Sequence, residues 1–139
     1  MLKHMTSYLL DTNHLGRLID PLRPLMARVQ AAIDVKDVFY IILPVITEAI
    51  FGFSILPRAK QNQAEWERLR PLLALQELDE KDAVEAAQLQ VKLRSVGYQL
   101  KTVDALIATI ALRYKLTLLT TDRDFTPIQS LRLENWLAS

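Results

Sequence analysis

The chain has 139 residues, 50% of them hydrophobic and 24% charged, with 17 basic against 16 acidic side chains. Such a composition suits a globular domain able to bury a core, and a net charge of +1 argues neither for nor against a polyanionic partner. There is no Cys, and only two His and three Gly, which excludes disulfides, thiolate metal sites, cysteine nucleophiles and the glycine loops that cradle nucleotide phosphates. Chemistry has to come from oxygen-bearing side chains.

The longest apolar run, Val38 to Ile46, is nine residues and contains Pro44, far short of the ~20 that span a bilayer. No signal-peptide pattern opens the chain, so a cytoplasmic protein with no membrane partner is expected. Residues 1–139 read as one domain. Residues 1–4 are expected to be dispensable, since patterning begins at Thr6 and Met5 is an alternative start.

In chain order, Ser7 to Leu10 reads as a short buried strand that ends at Asp11-Thr12-Asn13. Asn13 is placed to cap a helix over 14–19, which Pro21 and Pro24 interrupt before a second helical piece to Ile33. Val38 to Leu43 is apolar, β-branched and aromatic throughout, as a strand covered on both faces should be. Pro44 ends that strand and starts a helix through Glu48 to about Phe53. A charged amphipathic helix spans 61–73, with Trp66, Leu69, Leu72 and Leu73 on its apolar side, and Leu75 to Leu78 reads as a third strand. Asp79 N-caps a long helix to Val96, with Asp82 at capping-box spacing and Val84, Ala87, Leu89, Val91 and Leu93 as its apolar surface; Gly97 ends it. Thr102 caps a helix over 103–114 whose interior is apolar on all sides, the pattern of a buried helix. Strands at 117–120 and 131–134 follow. Alternating strands and helices predict a three-layer α/β/α fold around a mainly parallel sheet of four to five strands, with its site beyond the strands' carboxyl ends.

On that frame the acids converge. Asp11 follows the first strand, Glu48 lies early in the helix after the second, Asp104 sits in the first turn of the apolar helix, and Asp122 and Asp124 follow the fourth strand. Each has a bland explanation alone, as a turn former or a helix-dipole partner. Glu48 nevertheless interrupts an apolar stretch, and Asp104 opens a helix apolar enough to be central, an expensive place for an unpartnered charge. Several carboxylates at one sheet edge need a cation to ionise together, and a set without His or Cys selects Mg²⁺ or Mn²⁺. Metal-assisted phosphodiester hydrolysis is the natural reaction class.

LLDTN at 9–13, ITEAIFG at 46–52, VDALIATIAL at 103–112 and LLTTDRDF at 118–125 resemble the PIN-domain family, and LRLENW at 131–136 resembles the ending of VapC-type toxins. The resemblance implies a Mg²⁺- or Mn²⁺-dependent endoribonuclease of a toxin–antitoxin pair. By motif match Asp11, Glu48 and Asp104 hold the metal and Asp122 assists, with Thr120 and Asn13 supporting. Asp122 and Asp124 compete for the fourth place; Asp122 is preferred as nearer the strand end. In the implied reaction water attacks an RNA phosphate in line, leaving a 3′-hydroxyl and a 5′-phosphate. The resemblance also implies a homodimer and a cognate antitoxin that covers the acids, and the segment Phe51, Phe53, Ile55 and Leu56 suits such an interface.

No basic run marks an RNA track; Arg58, Lys60 and Arg123 are candidates. His14 reads as a packed or surface residue, not a general base. A phosphorylation receiver lacks its second acid after the first strand, and a DxDx[TV] phosphatase fails because Asn13 stands at the second Asp. The remaining rival is a non-catalytic PIN-like module that binds RNA or protein.

Overall fold

The computed structural model describes residues 5–20 and 24–137. Pro21 and the proposed dispensable residues 1–4 lie outside them. Five strands, β1 (Ser7–Leu10), β2 (Val38–Ile41), β3 (Ala74–Leu75), β4 (Thr117–Leu119) and β5 (Leu133–Glu134), form one parallel sheet in the order β3-β2-β1-β4-β5. Leu9, Leu10, Phe39, Ile41, Leu118 and Leu119 are fully buried, because the sheet is covered on both faces.

Helices α1 (Thr12–Leu18), α2 (Leu25–Asp34), α3 (Leu43–Ser54) and α4 (Ala59–Leu69) connect β1, β2 and β3. Helices α5 (Glu80–Ser95) and α6 (Thr102–Tyr114) lead from β3 to β4. The chain moves from β1 toward one sheet edge and then crosses to the other side, so right-handed crossovers put α1–α4 on one face and α5–α6 on the opposite one. The packing agrees: α1 lies on α3, α3 on α4, and α5 on α6.

Several boundaries differ from the sequence reading, each for a local reason. Asp11, not Asn13, caps α1, its Oδ1 accepting the Thr12 amide at 2.7 Å. Strand β2 stops at Ile41, since Leu43 already begins α3 with Pro44 in the first turn, where a missing N–H costs nothing. Helix α4 starts at Ala59 and gives way at Pro71 to a 3₁₀ turn, Arg70–Leu72, which leaves Leu72 exposed. β3 is shifted to Ala74–Leu75, the two residues that pair with Tyr40 and Ile41. No side chain caps α6, which begins at Thr102 itself.

In α5 the buried stripe is Asp82, Ala86 and Leu93, with Leu89 half-buried, whereas Val84, Ala87 and Val91 face outward. A charge starts this stripe because Arg113 of α6 reaches across to Asp82, lies 2.6 Å from Glu85 and 3.6 Å from Asp79. The Asp79–Asp82 capping box is reciprocal, at 2.9 Å in both directions. Gly97 follows α5 with φ of 91°, a conformation that carries little penalty only in glycine.

Leu9 is fully buried at the middle of the central strand. Leu9→Ala is expected to cost about 2–5 kcal/mol, from lost transfer energy and the cavity left behind. Urea unfolding checks this: the midpoint falls while the slope stays unchanged.

Candidate functional site

The strand order reverses between β1 and β4, and crevices form at the carboxyl ends of strands flanking such a switch point. The register pairs Leu10 with Leu119, and the Asp11 amide donates to the Leu119 carbonyl at 3.0 Å. The residues just beyond, Asp11 and Thr120, therefore meet. Asp11 is 4% exposed. Its Oδ2 accepts the Thr120 hydroxyl at 2.6 Å and the Asn13 amide at 3.2 Å. Burial raises its pKa, while the bonds from Thr120 and Thr12 oppose that rise by favouring the anion.

Three other elements bring acids to this point. In α3, Glu48 is exposed, and its Oε1 accepts the Thr12 hydroxyl at 2.7 Å across the α1–α3 contact. Asp104, half-buried in the first turn of α6, has its pKa pushed up to about 6, first by burial and then by repulsion from Asp11, Asp122 and Glu48. After β4, the Asp122 amide donates to Thr120 Oγ1 at 3.0 Å, and Asp122 Oδ1 accepts the Asp124 amide at 2.8 Å. Asp104, Asp122 and Asp124 each present an oxygen within 4.8 Å of the others. The four acids singled out in sequence thus lie within electrostatic reach of one another, and Asp122 and Asp124 both stand beside Asp104.

The donor set is hard oxygen. Thr120 Oγ1 donates to Asp11 while accepting from Asp122, so one hydroxyl ties β1 to the turn after β4. Lys101 opposes the rise at Asp104, more weakly than burial or any of the three acids promotes it. A hard divalent cation fits this arrangement by charge and by ligand type.

Beside Glu48 a mostly apolar groove of about 770 Å³ runs between α1, α3 and the start of α4, lined by Thr12, Gly16, Arg17, Glu48, Gly52 and Arg58 among others. A Cβ added at Gly16 or Gly52 meets nothing within 4 Å, so neither glycine is demanded by close packing. A longer side chain at either position would take up groove space. Next to the groove Phe51, Ile55 and Leu56 are exposed, while Phe53 is in the core. Trp66 is buried, and Arg123 is exposed between the two acids it separates in sequence.

Two participants were missed in the sequence. Thr12 was passed over as a turn residue, although its hydroxyl holds Glu48. His14 was read as a packed or surface residue, although it is buried with both ring nitrogens engaged, with Asn13 and with the Trp136 amide. Thr12 stands next to Asp11 in the chain; that adjacency was the available signal. Nothing local reports the Trp136 partner of His14.

Comparison with known proteins is consistent with this geometry. The sequence profile of the PIN domain matches residues 8–130. VapBC2 from Rickettsia felis, solved bound to a DNA fragment from its promoter, is 25% identical, with 94% of this chain and 99% of that chain covered and a TM-score of 0.82. FitAcB from Neisseria gonorrhoeae is 26% identical, with 92% and 96% covered and a TM-score of 0.71. DNA-bound VapBC from Salmonella typhimurium shares the fold at 24% identity, with 95% and 99% covered and a TM-score of 0.79. No curated protein sequence matches significantly.

The raised pKa of Asp104 carries a stability consequence. Without a cation, the folded state holds this proton more tightly than the unfolded chain, whose carboxyl titrates near 3.8. Stability from this group is therefore present at low pH and declines as pH rises from about 4 to about 6. In chelator-treated protein, the melting temperature of wild type minus that of Asp104→Asn is expected to be more favourable to wild type at pH 4 than at pH 7. A difference independent of pH would remove the assigned repulsion.

Proposed function

The chain belongs to the PIN-domain family, and on that footing we propose that it is a divalent-metal-dependent endoribonuclease, the toxin of a VapBC-type toxin–antitoxin pair. The observation that carries this reading is the convergence of Asp11, Glu48, Asp104 and Asp122 at one sheet edge, with Asp104 driven to about 6 by burial first and then by its acidic neighbours. A structural role alone gives no reason to assemble like charges there.

In this reading Asp11, Glu48 and Asp104 hold Mg²⁺ or Mn²⁺, and Asp122 or Asp124 completes the set. When bound, the cation supplies charge neutralisation at the scissile phosphate and lowers the pKa of water. The chain's own residues do the rest. Asp11 Oδ1 takes one hydrogen bond from the Thr12 amide and keeps a lone pair for a ligand, while its Oδ2 is occupied by Thr120 and Asn13. The Thr12 hydroxyl fixes the swing of the otherwise exposed Glu48 carboxylate. Arg17 and Arg58, on the groove wall, offer positive charge to phosphates that the acids repel.

The solved VapBC pairs support a protein antitoxin as partner, and exposed Phe51, Ile55 and Leu56 offer it, or a second copy of the chain, an apolar seat. Among the described residues no helix is long and apolar enough to cross a membrane.

Purified protein is expected to cleave RNA with Mg²⁺ or Mn²⁺ and to stop in EDTA. Asp11→Asn and Asp104→Asn should each lower the cleavage rate by roughly 100-fold or more, at or beyond the loss seen when groups supporting a metal ligand are removed. Circular dichroism and cooperative melting should survive. Retained cleavage in both folded variants would contradict the assignment, and absence of metal-dependent cleavage in wild type would leave a binding module.

A further inference from the structure

We infer that His14 and the C-terminal segment 133–137 form a brace that sets which end of the Asn13 carboxamide faces Asp11, so that His14 is a positioning residue of the site. The inference rests on the proposed acid site and deepens it.

The hydrogen-bond chain runs in one direction only. The backbone N–H of Trp136 donates to His14 Nε2 at 3.1 Å. A backbone amide cannot accept, so Nε2 must carry the lone pair and Nδ1 the proton. Nδ1 lies 2.8 Å from Asn13 Oδ1 and therefore donates to it. The Thr121 amide donates to the same oxygen at 3.3 Å. With its oxygen held by two donors, the Asn13 carboxamide turns its NH₂ toward Asp11 Oδ2, at 3.2 Å. The reversed amide would point an oxygen lone pair at a carboxylate already crowded by acids. His14 has no solvent exposure, and burial lowers its pKa to about 4, which keeps the ring neutral and the chain intact.

The far end of the brace is anchored on the core. The Trp136 ring meets Tyr8 of β1 edge-on at 5.0 Å and Phe39 of β2 at 5.7 Å. The Arg28 guanidinium of α2 sits 3.9 Å from the centre of the same ring. The indole N–H donates to Glu134 at 2.9 Å. Through its two nitrogens His14 ties Trp136, 122 positions along the chain, to Asn13 and passes that restraint to the carboxamide.

Two measurements on the full chain test this. Nitrogen-15 NMR of the wild-type imidazole should show a neutral ring with the proton on Nδ1; a proton on Nε2 would overturn the brace, and this readout needs no variant to fold. His14→Phe keeps the ring's bulk but removes both bonds. In metal-free protein it should shift the Asn13 side-chain amide resonances and speed their exchange, and it should weaken Mn²⁺ binding about 10-fold, the lower end for loss of outer-shell support. His14→Gln, which restores a donor and an acceptor, should recover part of both effects. Unchanged Asn13 resonances in folded His14→Phe would overturn the proposal. If wild type binds no Mn²⁺, the metal reading falls while the tautomer and the Asn13 resonances still decide the brace.

Discussion

Like charges at the carboxyl edge of the sheet are the constraint around which the rest is arranged. Parallel pairing of β1 with β4 brings Asp11 beside Thr120, and the crossovers deliver Glu48 from α3, Asp104 from α6 and Asp122 from the turn after β4. Burial and mutual repulsion both disfavour ionisation there, as the rise at Asp104 and at Asp11 records. The fold tolerates this because the central strands β1, β2 and β4 and residues 105 and 107–111 of α6 supply a buried core away from the site.

The polar groups nearest the acids offset part of that cost and also orient them. Thr120 and Asn13 donate to one oxygen of Asp11, the Thr12 amide to the other, and the Thr12 hydroxyl to Glu48. None of these donors is a full positive charge, so the set remains net acidic. That is what a site awaiting a cation requires, and a salt-bridged site would lack it. The contrast lies elsewhere in the same protein: the buried Asp82 is met by the full positive charge of Arg113, an ion pair that locks α5 to α6.

Much of the fold was legible because its signals are local. β1 matches its run of residues, β2 shows an unbroken apolar stretch, Gly97 marks the end of α5, and the apolar sequence of α6 announces a buried helix. The meeting of the acids was legible too, since strand ends in an α/β chain fall along one edge. What escaped depends on contacts distant in sequence. The buried stripe of α5 was misassigned because Asp82 looks solvated until Arg113 is placed beside it. β3 is only two residues long and is located by its pairing with β2, not by composition. The hydroxyl of Thr12 and Nε2 of His14 have partners 36 and 122 positions away, so those contacts could not be read from neighbouring residues.

The central claim is that the acid cluster binds a divalent cation in place of protons. Calorimetric titration of Mg²⁺ at pH 6 and pH 8, in buffers of different ionisation enthalpy, tests it directly. With Asp104 near its pKa of about 6, binding at pH 6 should release roughly half a proton from that group, and at pH 8 almost none. Absence of binding at both pH values, or binding with the same proton release at each, would contradict the account.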